Sequence, residues 1–485
     1  MTLNERAEKA VEHKNSGLYK NVLFYVLPVI LLIISISTIF SNDIWGDENY
    51  SLQLIKLSYV DGIIRTAWDV HPPLYYIILK TIVDLFSGIV PNPIWTAKFV
   101  SLIPHIILLV LGFTIIKNKY GTVTAFLFNM FSLGMPALMG FSTEIRMYSW
   151  GMLFVTLAFL SSLEIYKAES EKKYYILLTI FSALASYCHY FACAASIVIY
   201  IEIFIYFNIK KDKKGVKRTF LSGLGVAIIY LPWILVFIMQ LLIVSGGYWI
   251  APLTPYTIMK NLIYLFDSGD KIVRAGCFLL FVIAIIGILA EIKSRKNIES
   301  ICGFGVWFGT IFLGVVLSLI IRPIFVSRYI IVTAMCFWFA VAFSINNLKV
   351  NWLKVCCVLA AVALSIGATK DFLSTEAYYQ NGTNKVLAFL DENLDGARYV
   401  ITNSTPGKDA LSYFYTDEKF IVVDEENSKD VLAIINEDPS NKYILMDTDG
   451  TLNSLLPGIL DKAEHIEKYN IHWDVLDTYV LSNQR

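Results

Sequence analysis

Runs of about twenty mostly apolar residues recur along most of the chain, and that recurrence constrains the fold more than any other feature. They lie at 21–40, 95–116, 120–140, 148–166, 174–190, 191–208, 219–245, 276–293, 301–321, 329–346 and 352–368. Each is about long enough to cross a hydrocarbon core as a helix, which satisfies every backbone polar group within its own segment. Composition agrees. Of 485 residues, 56% are hydrophobic and 16% charged, against about 25% charged in a soluble domain. A polytopic membrane protein is therefore expected. The formal net charge is zero, so nothing points to a nucleic-acid partner. The seven cysteines lie in or beside apolar runs without CxxC spacing; they read as small apolar residues, with no disulfide framework. The first apolar run is too long for a signal-peptide core and reads as a retained span.

Basic residues in short loops set the orientation. "KKDKKGVKR" (Lys210–Arg218), "KSRKN" (Lys293–Asn297), "KNK" (Lys117–Lys119) and "KAESEKK" (Lys167–Lys173) are the cues. They fall on one side only if the further apolar stretch 72–90 does not cross. Lys80 and Asp84 sit in the middle of that stretch, four residues apart on one helical face, where charges are costly in lipid. The expectation is a mainly α bundle of about eleven spans, with interfacial or re-entrant helices in the first outer loop. Residues 1–20 form a cytoplasmic tail, 21–369 the transmembrane domain, and 370–485 a small extracytoplasmic α/β domain. In that last segment "ARYVITN", "KFIVVD", "KYILMDT" and "WDVLDTYVLS" read as strands. "NKVLAFLDENL", "GKDALSYFY", "SKDVLAIIN" and "GTLNSLLPGILDKAEHIEK" read as helices. No glycine-rich phosphate loop supports a nucleotide site there.

This topology gathers the unusual residues on the outer side. Asp47 and Glu48 follow the first span; they suit a general base or metal ligand, or equally the N-terminus of the next helix. In "DVHPPLYY" (Asp69–Tyr76), His71 can ligate a metal or position a phosphate, while Pro72-Pro73 also suits a helix start. Tyr75 and Tyr76 fit an interfacial aromatic belt. "STEIRMYSW" carries Glu144 and Arg146; the arginine can hold a phosphate or snorkel beside the glutamate. His189 in "YCHYFA" is a ligand or a packed histidine, and Arg322 and Arg328 in "RPIFVSRYI" are a phosphate clamp or an interfacial anchor.

In combination, and in this order, the acidic pair, "HPPLYY", "EIRMY", "HYF" and "SRY" resemble the GT-C superfamily of membrane glycosyltransferases. The nearest relatives would be bacterial enzymes similar to protein O-mannosyltransferases, aminoarabinose transferases and Rhizobium-type core sugar transferases. The resemblance covers roughly residues 20–345. It implies transfer of a sugar from a polyprenyl-phosphate carrier in the membrane to an extracytoplasmic acceptor. It implies Asp47 as the catalytic base, with Glu48 supporting it or binding acceptor. It implies His71 with His189 holding a divalent metal cation or the donor phosphate. Arg328 would steady the lipid phosphate, with Arg146 and Arg322 as further candidates, and Tyr75 and Glu144 would line the substrate site.

Two other classes compete. A transporter or flippase of a lipid-linked sugar would carry paired half-repeats with broken helices, and none is legible. A lipid-linked glycan polymerase or ligase has a large outer loop between late spans, whereas the longest internal one here is 246–275.

Overall fold

The structure is a computed structural model describing residues 24–482, apart from 168–170, 248–249, 295–296, 416 and 473. The expected cytoplasmic tail at 1–20 lies outside the described residues. The chain divides into two compact units: Met1–Ile39, Tyr59–Thr81 and Lys98–Phe372 form one, and Phe40–Ser58, Ile82–Ala97 and Leu373–Arg485 the other.

The first unit is a helical bundle. Among the described residues, seven helices are long and apolar enough to cross a bilayer: Pro93–Tyr120, Tyr148–Ile165, Tyr190–Ile209, Lys213–Gly246, Ile298–Ile320, Ser327–Asn346 and Asn351–Asn393. Phe24–Thr38 and Thr122–Gly134 are shorter apolar helices. Burial sorts them. Tyr148–Ile165 is buried almost throughout, and Ser327–Asn346 likewise. Aromatic rings pack the interior, with Phe337 meeting both Trp307 and Trp338, and Phe339 meeting Phe128 and Phe159. Lys213–Gly246 instead exposes Phe220, Leu224, Ile228, Leu231, Leu235, Ile238 and Leu242. A stripe of that length, at helical spacing, is the face a helix turns to lipid.

The stretch 72–90 holds a helix at Leu74–Phe86 of 13 residues, short of the roughly twenty a full crossing requires. Pro72 and Pro73 precede it, and its first ladder bond runs from the Ile77 amide to the Pro73 carbonyl at 3.1 Å. Prolines fit there because the first turn's amides lack intrahelical partners anyway.

The second unit contains a five-stranded sheet: β1 (Ala397–Thr402), β2 (Phe420–Val422), β3 (Lys442–Asp447), β4 (Glu464–Ile471) and β5 (Asp474–Leu481) in the order β2-β1-β3-β5-β4. β1 runs parallel to β2 and β3, while β5 is antiparallel to β3 and β4. Helices cover both faces. Val386, Phe389 and Leu390 pack with Val400, Ile444 and Leu476 on one side; Val431 and Ile435 pack with Ile401, Tyr443 and Leu445 on the other. Adjacent residues Val400 and Ile401 point to opposite cores, as strand alternation requires.

One expectation changes here. The helix read over 450–468 is a short helix at Leu452–Leu455 followed by β4. Pro457 and Gly458 (φ +74°) interrupt it, and pairing with β5 fixes the rest as strand, tertiary context overriding local propensity. Helix Asn351–Asn393 also runs unbroken through residue 370, so the change from apolar to polar composition happens within one helix and not at a linker.

Residues 40–58 belong to this second unit. Asp43, buried, accepts from Thr383 Oγ1 at 2.5 Å and pairs with His472 Nδ1 at 2.6 Å. The His472 ring lies against Trp45 and Tyr379. Burial opposes its charge, but the Asp43 carboxylate more than offsets that and holds its pKa above the usual value. Asn49 donates to the Asp409 carbonyl and to Ser412 Oγ. Asp43, just before helix Gly46–Ile55, and Asn49 within it thus fasten this segment to the α/β fold.

Candidate active site

Within the bundle, four sequence-flagged residues converge from separate inter-helix junctions. His71 lies in the turn before Leu74–Phe86. Arg146 lies between Phe141 and Tyr148. His189 separates Lys172–Cys188 from Tyr190–Ile209, and Arg328 sits in the 3₁₀ turn Ser327–Thr333. The His71 and His189 rings stack at 5.7 Å between centroids. Tyr148 and Tyr329 flank His189 at 5.4 and 5.0 Å. Arg146 Nη1 reaches the Tyr76 hydroxyl at 3.4 Å. Burial, then the charges of Arg146 and Arg328, push the His189 pKa down to about 3. Burial, with Arg146, His189 and Arg328, also holds His71 well below the usual histidine value. Both rings are therefore neutral near pH 7. The local field is positive, and imidazolium is the form it disfavours.

The state of His189 is defined further by its backbone. It is extended (φ −158°, ψ 139°) and caps Tyr190–Ile209, its Nδ1 accepting from the Phe191 amide at 3.1 Å. An acceptor Nδ1 in a neutral ring leaves the proton on Nε2. Nε2 is buried and has no hydrogen-bond partner. The cluster therefore offers one imidazole N–H donor and two guanidinium groups. That set suits an anion. It does not suit the expected His71–His189 cation site: His189 Nε2 carries a proton where a metal needs a lone pair, and two arginines repel the cation. Among the described residues, no group of three or more His, Cys, Asp or Glu side chains could hold a metal ion.

The remaining candidates fall in different places. Tyr75 is fully buried, with its hydroxyl 3.5 Å from Ser101 Oγ; Tyr76 is the tyrosine that meets Arg146. Glu144 and Arg328 both act on the Tyr264 phenol, whose pKa is raised first by burial and then by Glu144. Arg322 donates to the Ser245 carbonyl at 3.5 Å, at the end of Lys213–Gly246. In the second unit, Glu48 Oε2 accepts from the Trp45 amide at 3.2 Å, the reciprocal half of a capping box, since the Trp45 indole has no acceptor. Asp47 is half-buried at the second residue of the same helix. Sequence reasoning missed Tyr148, Tyr264 and Tyr329 as parts of the cluster; the tyrosine adjoining Arg328 in "SRY" was the available signal.

Comparisons with known proteins place this architecture. No family model matches the sequence. No curated protein matches it either. Solved structures do. ArnT from Cupriavidus metallidurans in the apo state aligns over 97% of this chain and 100% of its own, with TM-score 0.62 at 9% identity. The same protein bound to undecaprenyl phosphate aligns over 96% and 99%, with TM-score 0.62 at 10% identity. An Archaeoglobus fulgidus oligosaccharyltransferase in complex with Zn and sulfate aligns over 94% of this chain and 73% of its own, with TM-score 0.51 at 12% identity. The fold is the GT-C fold. At such identities the likeness lies in architecture, which agrees with the resemblance read from the motifs.

Proposed function

We propose that the chain is a multi-pass membrane glycosyltransferase that moves a sugar from a polyprenyl-phosphate carrier to an extracytoplasmic acceptor. The observation that carries this reading is the convergence of buried Arg146, half-buried Arg328 and two buried, neutral histidines, an anion site in a GT-C fold. One solved structure of that fold is bound to undecaprenyl phosphate.

In this reading Asp47 takes the proton from an acceptor hydroxyl as its oxygen attacks the anomeric carbon. The bond from that carbon to the phosphate oxygen breaks. A phosphodiester becomes a monoester, and negative charge grows on the departing oxygens. Arg146 and Arg328 stabilise that charge, and the His189 Nε2–H donates to it, in a region from which burial excludes water. Glu48 acts indirectly, holding the first turn that presents Asp47. Tyr75 and Glu144 support the walls of the donor site, and Arg322 is peripheral. Residues 21–369, which carry Asp47 and Glu48 as well as the bundle helices, form the catalytic domain. The α/β domain lies outside the membrane and contributes to acceptor binding.

The test is a transfer assay in membranes comparing wild type with Asp47→Asn after feeding labelled sugar precursors. Loss of one glycosylated product, with accumulation of its polyprenyl-linked donor at normal protein level, supports the reading and names the acceptor. Full product from the variant removes Asp47 as base. Donor held on the cytoplasmic leaflet alone would identify a flippase.

A further inference from the structure

We propose that the ends of helices Tyr190–Ile209 and Lys213–Gly246 form a binding site for one anionic glycerophospholipid, separate from the cluster described above. The turn joining these helices is the loop that the distribution of basic residues assigns to the cytoplasmic side. A cavity of about 590 Å³ opens there, walled by Phe204, Phe207 and Phe220 and rimmed by Lys211, Lys213 and Lys217. That volume is in the range of small-molecule pockets.

The chemistry of the wall and of the rim differ, and together they select a lipid. Phe207 is buried, its ring filling the space a side chain at Gly215 would need. Phe220 is 59% exposed and continues into Leu221, Leu224 and Ile228, the start of the apolar stripe along Lys213–Gly246. An acyl chain has a continuous surface to follow from the cavity toward the bilayer centre. A free phosphate ion would gain nothing from that surface.

The rim is cationic and uncompensated. Residues 210–218 include Lys210, Lys211, Lys213, Lys214, Lys217 and Arg218 against one acid, Asp212. That carboxylate is engaged as a helix cap, accepting from the Lys214 and Gly215 amides at 3.0 Å each. Among the described residues no carboxylate pairs with Lys211, Lys213 or Lys217. Clustered lysines beside an apolar stripe attract anionic headgroups.

Lys211 adds a second mark. Its φ of +55° is left-handed, one of two such non-glycine residues among those described. It occupies the position after the helix where glycine is ordinarily found: its amide bonds the Asn208 carbonyl at 3.1 Å, and the Asp212 amide bonds Phe207 at 2.9 Å. A lysine kept in glycine's conformation is backbone strain at a charged rim, a pattern common where a side chain serves a ligand.

The experiment is native mass spectrometry of the full chain, purified and exchanged into mixed phosphatidylcholine and phosphatidylglycerol. The wild type should retain one phosphatidylglycerol in preference to phosphatidylcholine. The double variant Lys211→Gly/Lys217→Gln should lose that preference by tenfold or more. Glycine relieves the left-handed strain and four cations remain in the loop, so thermal unfolding in phosphatidylcholine alone should be unchanged or raised. A control, Lys172→Gln/Lys173→Gln, removes equal charge from another loop on the same side and should behave as wild type. Unchanged retention in the double variant overturns the proposal. Equal loss in the control overturns it too, by showing diffuse surface attraction without a site.

Discussion

Replacing His189 by asparagine and, separately, by glutamine separates its two nitrogens. Asparagine places an amide oxygen near the Nδ1 position and can still accept from the Phe191 amide, which now donates to Nδ1 at 3.1 Å. It has no group at Nε2. Glutamine can extend an N–H toward the Nε2 position but gives up the cap. Loss of an N-terminal cap costs about 1 kcal/mol. Loss of a buried hydrogen bond to a charged phosphate costs about 1.5–3 kcal/mol, or roughly 10- to 150-fold in affinity. His189→Asn should therefore unfold like wild type while binding undecaprenyl phosphate about 10- to 150-fold more weakly. His189→Gln should bind within a few-fold of wild type but unfold more easily, by about 1 kcal/mol. Titration of purified protein with undecaprenyl phosphate, together with thermal unfolding in the same detergent, reads both quantities. Wild-type affinity in His189→Asn would refute the donor assignment. Restoration of binding to that variant by a divalent cation would refute the tautomer argument behind it.

Arg328→Ala and Arg146→Ala should each weaken undecaprenyl phosphate binding by tenfold or more, while Arg322→Ala changes it less than about threefold; equal effects of all three would dissolve the cluster as a site. Lowering the pH should destabilise the bundle. An unfolded His189 takes up a proton near pH 6.5 and the folded one only near 3, so stability falls as pH drops below 6.5, by up to about 1.4 kcal/mol per unit. Wild type should show the steeper slope between pH 6.5 and 4.5 than His189→Asn; parallel slopes would count against the buried neutral ring. Gly382→Ala should destabilise the α/β unit by roughly 1–3 kcal/mol or more, because an added methyl would lie 1.6 Å from the Asn470 carbonyl oxygen, a backbone atom of β4; unchanged thermal unfolding would argue against that approach.

Much of this site was legible because its parts are chemically out of place. A histidine before two prolines at a membrane edge, or an arginine at the end of an apolar run, is expensive unless it serves something. That reasoning singled out His71, Arg146, His189 and Arg328 as candidates without contacts, and the family resemblance supplied the roles expected of them. It named Tyr75 and not Tyr76 for the substrate site, although both are adjacent aromatics in one motif and only helix rotation decides which faces Arg146. It could not choose between the two readings of Glu48, because helix-capping and catalytic carboxylates are the same residue type in the same place. The region 450–468 failed for a related reason: "EHIEKY" is neutral between helix and strand until β5 lies beside it.

The sequence alone determined that the chain crosses a membrane many times, that a mixed α/β segment follows, and where charged groups interrupt apolar runs. Those properties are set by transfer free energies and local periodicity, which act residue by residue. The tertiary structure decided which interruptions meet. His71 and His189 are 118 positions apart in sequence, and their stacking depends on how separate helices pack. It also decided the proton position on His189, which follows from one backbone amide two residues away and disfavours the expected His71–His189 cation site.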